Sequence, residues 1–142
     1  MPTNCQISST PLAFGRYDPI GEHKTQALDA QAAITVACVK GTGPTIALGP
    51  GNYSSGGVRR MQRLESADYL TYELYKPISN LADASCAFPG TDVWGASASS
   101  LLTATSAPSK LARTYNVCGT VHAGQNPLVG TYADVVIATV NF

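Results

Sequence analysis

Hydrophobic and polar positions along this chain repeat with a period of two, the period of a strand. The densest stretch is the last one, residues 132–142, read Tyr-Ala-Asp-Val-Val-Ile-Ala-Thr-Val-Asn-Phe. It is rich in β-branched residues and follows a Val129-Gly130 turn signal. Val136, Ala138, Val140 and Phe142 fall on one face, Val135 and Ile137 on the other. A strand with two apolar faces is expected inside a covered sheet. No partner strand follows it in the sequence, which raises the question of what lies against it.

The same alternation predicts strands over residues 31–39, over Thr45–Leu48, over Tyr69–Tyr75 and over residues 111–118. In the first of these Ala32, Ile34, Val36 and Cys38 share a face; in the third, Leu70, Tyr72 and Leu74 do. Residues 4–8 and 12–17 read as one strand broken at Pro11, which lacks a donor for the ladder. Residues 22–29 read as loop. Residues 58–64 fit a short strand or a single helical turn, with Arg59, Arg60 and Arg63 around Met61 and Leu64. Residues 78–93 read as a long loop, and residues 96–108, nearly all small or hydroxylated, carry no strong period. Gly/Pro/Ser turns separate these elements. About seven short strands with no convincing amphipathic helix predict an all-β sandwich in one domain spanning residues 1–142.

Composition narrows the function classes. Nine acidic and nine basic side chains cancel, so nothing marks a nucleic-acid surface. Charged residues are 13% of the chain, about half the usual share. Such a surface suits secreted β proteins and assembled structures. No apolar run approaches the roughly 18 residues of a membrane span, and no signal peptide is visible from Met1. Cys5, Cys38, Cys86 and Cys118 form no Cys-x-x-Cys pair, which argues against zinc and for two disulfides made in an oxidising compartment. Three pairings exist. Cys5 with Cys38 and Cys86 with Cys118 is the preferred one, because each joins segments that can be neighbouring strands; four buried free thiols are the alternative.

Candidate chemistry is sparse. His23 and His122 have no metal-ligand spacing and are expected to be solvated or loosely hydrogen-bonded. No Gly-x-Ser-x-Gly motif occurs. Glu65 and Asp68 read as a solvated loop rather than an acid pair. The arginine cluster reads as a hydrated face paired with Glu65 or Asp68, or else as a contact for an acidic partner. Trp94 is expected in the core. No catalytic or metal residues and no cofactor are indicated, so the chain is not read as an enzyme. Leu81, Phe88, Leu101 and Leu102 fall in segments with weak strand signals and are candidate adhesive loops.

Several motifs then occur in order. Cys5 is followed by Phe14-Gly15-Arg16-Tyr17-Asp18-Pro19, by Val36-Ala37-Cys38 and by Arg60-Met61 after a Gly-rich loop. Leu70-Thr71-Tyr72-Glu73-Leu74-Tyr75, Val93-Trp94-Gly95, Gly124-Gln125 and Gly130-Thr131-Tyr132-Ala133-Asp134 come next, before the terminal stretch. This set resembles the spore coat protein U family, which includes the subunits of archaic, Csu-type chaperone–usher pili. The resemblance runs from Cys5 to Phe142. It implies an incomplete immunoglobulin-like sandwich whose missing strand is donated by a chaperone and then by the next subunit. Ile7, Leu12, Phe14, Val136, Ala138, Val140 and Phe142 would line the donor-strand groove. Cys5 and Cys38 would be the family's disulfide; the Cys86 and Cys118 pair lies outside its general pattern.

The resemblance implies a non-enzymatic pilus subunit serving surface attachment and biofilm formation. Its partners would be a periplasmic chaperone, an outer-membrane usher, neighbouring subunits and an abiotic or host surface, with no nucleic acid. It would pass through the periplasm to an extracellular pilus. A tip adhesin acting through its apolar loops, or a self-contained coat protein, are the alternatives. Only four residues precede Cys5. At about 3.3 Å each they are too short to fill a neighbour's groove. The expectation is a chain that receives a strand but gives none, either a tip subunit or one shortened at its beginning.

Overall fold

A computed structural model describes residues 4–142. The expectation about the stretch ahead of Cys5 rests largely on residues 1–3 and lies outside them. Among the described residues there are nine strands: β1 Cys5–Ser9, β2 Leu28–Cys38, β3 Thr45–Leu48, β4 Arg59–Arg63, β5 Tyr69–Tyr75, β6 Leu102–Thr103, β7 Arg113–Val121, β8 Tyr132–Ala133 and β9 Ala138–Asn141. They form a six-stranded antiparallel sheet in the order β1-β2-β7-β5-β4-β8 and a three-stranded sheet in the order β6-β3-β9.

The inward rows are the ones the alternation marks. Ile34 and Val36 of β2, Leu70, Tyr72 and Leu74 of β5, and Tyr115 and Val117 of β7 are buried from the large sheet. Ile46 and Leu48 of β3 and Leu102 of β6 meet them from the small one. Trp94 is fully buried between them, and its indole Nε1–H donates to the Ile46 carbonyl at 2.9 Å. That bond lets a large side chain with one polar atom serve as a core anchor.

β7 is buried on both faces over its second half, Cys118 and Thr120 included. The cover on its outer face is the loop over residues 78–93, tied down by the Cys86–Cys118 disulfide and by the Asn116 amide donating to the Ala84 carbonyl. The Cys5–Cys38 disulfide joins β1 to β2 where those two residues are directly paired. No cysteine is free.

Several expectations are corrected. Residues 12–17 form no strand: the ladder of β1 ends at Ser9, and the last bond to β2 is from Thr10 N–H to the Ala33 carbonyl. Pro11 then ends the pairing. β2 starts at Leu28, inside the predicted loop, because β7 runs to Val121 and offers partners that far. For the same reason the strand predicted over residues 111–118 is displaced to Arg113–Val121, leaving Leu111 exposed. Residues 58–64 resolve as a strand, since β5 supplies the adjacent ladder.

The largest correction concerns the terminal stretch. It is two short strands in different sheets rather than one continuous strand. β8 pairs with β4 in the large sheet, and β9 pairs with β3 in the small one. Nor are both its faces covered: Val136, Ala138 and Val140 pack against the core, while Val135 is 61% and Ile137 68% exposed. Among the described residues no element lies over that outer face, so the two-faced apolar pattern does not report a covered strand here.

Candidate functional site

The crossing from β8 to β9 opens a gap between the sheets. It contains a cavity of about 530 Å³. One side is residues 9–12 and Phe14; the other is residues 132–136 and Ala138. The floor is apolar, formed by Ala32, Ile34, Leu48, Met61, Leu74 and Val117.

The edge of β9 beside this gap is open. β9 is the last strand of its sheet, with β3 on its other side. The Ile137 carbonyl accepts from Gly49 N–H at 2.9 Å, so the main-chain groups of Ile137 point toward β3. Main-chain groups alternate in direction along a strand, as side chains do. The N–H and C=O groups of Val136, Ala138 and Val140 therefore point to the open edge, while their side chains point to the core. Across the gap, Leu12 and Phe14 lie on a segment with no backbone–backbone hydrogen bond to any other described residue. An open ladder next to an unfilled apolar cleft is the geometry that accepts an extended segment.

Asp134 fixes the crossing. Its Oδ1 accepts from the N–H groups of Asn52 and Val135, both at 2.8 Å, and its Oδ2 accepts from the Tyr72 hydroxyl on β5. Gly51 has a φ of +88°, and a Cβ there would lie 2.1 Å from Asp134 Oδ2. Glycine thus permits both the turn and the close approach. At the other end of β8, the Tyr132 hydroxyl donates to Asp68 Oδ2 at 2.8 Å, and Leu128 N–H donates to the same oxygen at 2.7 Å.

Burial and these bonds shift three titrations. The Asp68 carboxyl is held below its ordinary value, first by the Leu128 N–H and then by the Tyr132 hydroxyl. Burial, then the bond to Asp68, pushes the Tyr132 phenol up to about 12. Burial, then the bond to Asp134, pushes Tyr72 up as well. A phenol whose folded pKa is raised contributes fully below its unfolded pKa of about 10, and the contribution is lost as pH rises through the folded value. The stability held by Tyr132 therefore fades between about pH 10 and pH 12. Absorbance titration of the seven tyrosines should show Tyr72, Tyr75 and Tyr132 ionising late, Tyr75 through burial and the nearby Glu73 carboxylate. Tyr132→Phe should remove one late ionisation and leave those of Tyr72 and Tyr75. Seven phenols titrating together near pH 10 would contradict these contacts.

Of the residues expected around a groove, the structure brings Leu12, Phe14, Val136 and Ala138 to the cavity. Ile7 and Val140 pack against the core but do not line it, and Phe142 is 59% exposed. Sequence reasoning gave no groove role to Ala32, Met61, Tyr72 or Asp134. Asp134 had a weak signal, since a carboxylate inside an apolar run requires partners.

Other sites move too. His23 is hydrogen-bonded, one of the two expected states, but it is also buried: its ring stacks on Tyr17 with centroids 5.1 Å apart, and its Nδ1 accepts from Asp18 N–H at 2.7 Å. Arg59 belongs to no hydrated face. It is 5% exposed, pairs with Glu73, and donates from Nη2 to the carbonyls of Gly49 and Trp94, both at 2.8 Å. Arg60 lies over the Tyr69 ring at 3.8 Å, and Arg63 pairs with Glu65 at 3.1 Å. Leu102 is buried in β6 and offers no loop surface; Leu81 and Phe88 are exposed. Among the described residues no three His, Cys, Asp or Glu side chains converge as a metal site, and no helix is long and apolar enough to cross a membrane.

Known proteins share this architecture. A chain in the crystal structure of the chaperone–tip adhesion subunit pre-assembly complex, from archaic chaperone–usher Csu pili of Acinetobacter baumannii, superposes with a TM-score of 0.68 at 22% identity. The match covers 98% of this chain and 40% of that one. The all-β architecture is thus the immunoglobulin-like fold of pilus subunits. Protein U of Myxococcus xanthus is 32% identical over 139 residues, covering 92% of this chain and 71% of that protein. The family model described as the Spore Coat Protein U domain matches residues 1–139. The chain therefore belongs to the Spore Coat Protein U domain family, as a structural and non-enzymatic protein.

Proposed function

We infer that this protein is a subunit of an archaic chaperone–usher pilus, completed by a strand from another polypeptide. The observation that carries this reading is the open edge of β9 beside an apolar cavity of about 530 Å³. An extended segment entering there bonds to the free main-chain groups of Val136, Ala138 and Val140 and places alternate side chains on the floor. Leu12 and Phe14 flank it on the other side. Each apolar side chain so buried contributes about 1.5–3 kcal/mol before the costs of ordering. The strand comes first from a periplasmic chaperone and then, after an outer-membrane usher, from a neighbouring subunit. The finished fibre is extracellular and serves surface attachment and biofilm formation.

The test is a synthetic peptide of alternating polar and apolar residues added to the isolated chain. The unfolding temperature is expected to rise with peptide concentration, as it does for any ligand of the native state alone. A monomer whose unfolding temperature never moves would count against the reading.

A tip-adhesin role is favoured by one further observation. Leu81 and Phe88 are exposed on the loop that the Cys86–Cys118 disulfide ties to β7. A rigid apolar loop loses little entropy on contact with a surface. Leu81→Ser with Phe88→Ser is expected to lower attachment while assembly persists. Leu102 has no place in that test, because a polar group there unfolds the core. Copurification of the chain without chaperone, usher or like subunits would instead favour a self-contained coat protein.

A further inference from the structure

We propose that a polar cleft beside β6, at the opposite edge of the small sheet from β9, binds one neutral, hydroxylated ring, the size of a monosaccharide unit. The proposal stands apart from the strand-acceptor reading.

The cleft lies between the end of β5, the loop that follows it and β6, and its volume is about 290 Å³. Small-molecule sites run from roughly 300 to 1,000 Å³, so this one has room for a single ring rather than a chain. β6 and β9 are the outer strands of their sheet, with β3 between them. Among the described residues none lines both this cleft and the cavity beside β9. A segment seated at β9 therefore leaves the cleft open.

Two charges set its chemistry. Lys76 directly follows β5, and its main-chain N–H donates to the Asp92 carbonyl at 2.9 Å. That bond brings the two side chains together, with Nζ 3.5 Å from Asp92 Oδ2. Charge-assisted bonds of this kind close to about 2.7–2.9 Å, so neither group is spent on the other. The Lys76 side chain is 12% exposed and that of Asp92 65%, so the cation is recessed while the anion meets solvent. Asn80 supplies a third polar group. Its Nδ2 donates to the Thr103 carbonyl of β6 at 2.8 Å, which leaves Oδ1 as an acceptor.

These groups offer a donor and acceptors side by side. Hydroxyls are the ligand groups that both donate and accept, so adjacent hydroxyls match them. A charged ligand would satisfy one ion of the pair and face its own sign on the other, so the pair selects a neutral one. Ile78 and Leu101 complete the lining with apolar surface for the C–H face of a ring. The walls are also preformed. The loop is closed by Ile78 N–H donating to the Ser85 carbonyl at 3.0 Å, held to β6 by Asn80, and anchored to β7 by the Cys86–Cys118 disulfide. Little ordering is left to oppose binding. So few contacts give affinity in roughly the millimolar range.

The experiment titrates the full chain with the methyl glycosides of glucose, galactose and mannose and reads amide shifts by NMR. At least one is expected to shift residues 76–80, 92 and 101–103 and to leave the residues beside β9 in place. Asp92→Asn keeps the side-chain shape at an exposed position, so the unfolding temperature should hold. Binding should weaken about tenfold or more, because a hydrogen bond to a charged group is lost. Lys76→Met, which keeps the buried stem, should weaken it similarly. Glucuronate and glucosamine should bind less well than the neutral sugars. The proposal is overturned if no glycoside shifts the cleft residues, if Asp92→Asn and Lys76→Met bind as the parent does, or if either charged sugar binds more tightly than the neutral ones. None of those results bears on the strand-acceptor reading, which the alternating peptide tests separately.

Discussion

Arg59→Met is expected to destabilise the protein by about 3–5 kcal/mol, the range for removing one partner of a buried ion pair. Methionine keeps most of the stem volume, so the loss is in polar contacts rather than in packing. Arg59 pairs with Glu73 and donates to three main-chain carbonyls, those of Leu48, Gly49 and Trp94. Those carbonyls belong to the end of β3 and to the Trp94 anchor, whereas Arg59 belongs to β4 in the other sheet. One guanidinium thus ties the two sheets together beside Leu48, which lines the cavity. The Glu73 side chain is 17% exposed, so water relieves part of its isolation and places the loss toward the lower end of the range. A urea titration should show a lower midpoint with an unchanged slope. Arg60→Met is the comparison. Its guanidinium stacks on Tyr69 and donates to the Tyr53 carbonyl from a partly exposed position, so about 1 kcal/mol is expected. If both variants lost the same small amount, the staple would not exist.

Removing the Cys5–Cys38 disulfide by paired Cys→Ser substitution should cost about 3–4 kcal/mol. The two residues are 33 apart in sequence, and loop closure on that scale sets the magnitude. Removing Cys86–Cys118, 32 apart, should cost about the same by that reasoning. Their effects on the groove should differ. β1 is an edge strand held only by β2, and the segment carrying Leu12 and Phe14 continues from it. Freeing β1 at Cys5 loosens one side of the cavity, so the response to an alternating peptide should fall. The other disulfide holds a loop on the outer face of β7, away from the cavity, and its loss should leave the peptide response intact. Chemical denaturation combined with peptide titration separates the two quantities. Equal peptide responses in the two variants would show that β1 does not position the groove.

How far the sequence led follows from which forces are local. The strands Thr45–Leu48 and Tyr69–Tyr75 have the bounds that alternation assigns them, because turns close both ends and one face meets the core. Trp94 as a core residue follows from its size. Arg59 was not legible. The run Arg-Arg-Met-Gln-Arg has period-two alternation only if one arginine takes an inward place, and burial of arginine depends on acceptors that arrive from Gly49 and Trp94. The burial of His23 was not legible for the same reason: its partners are a ring and an amide brought close by a turn.

The last eleven residues divide the two kinds of knowledge most sharply. The sequence by itself determined that they are extended and that Val136, Ala138 and Val140 share an inward face, since side-chain direction is fixed by the two-residue period. Only the tertiary structure decided that the stretch changes sheets at Asp134, that its outer apolar face stays in solvent, and that its open edge borders a cavity. Those outcomes depend on Tyr72, Asn52, Gly49 and Leu48, which reach it from distant parts of the chain. Pairing partners are set by which edges meet in space, and a one-dimensional pattern records faces but not edges.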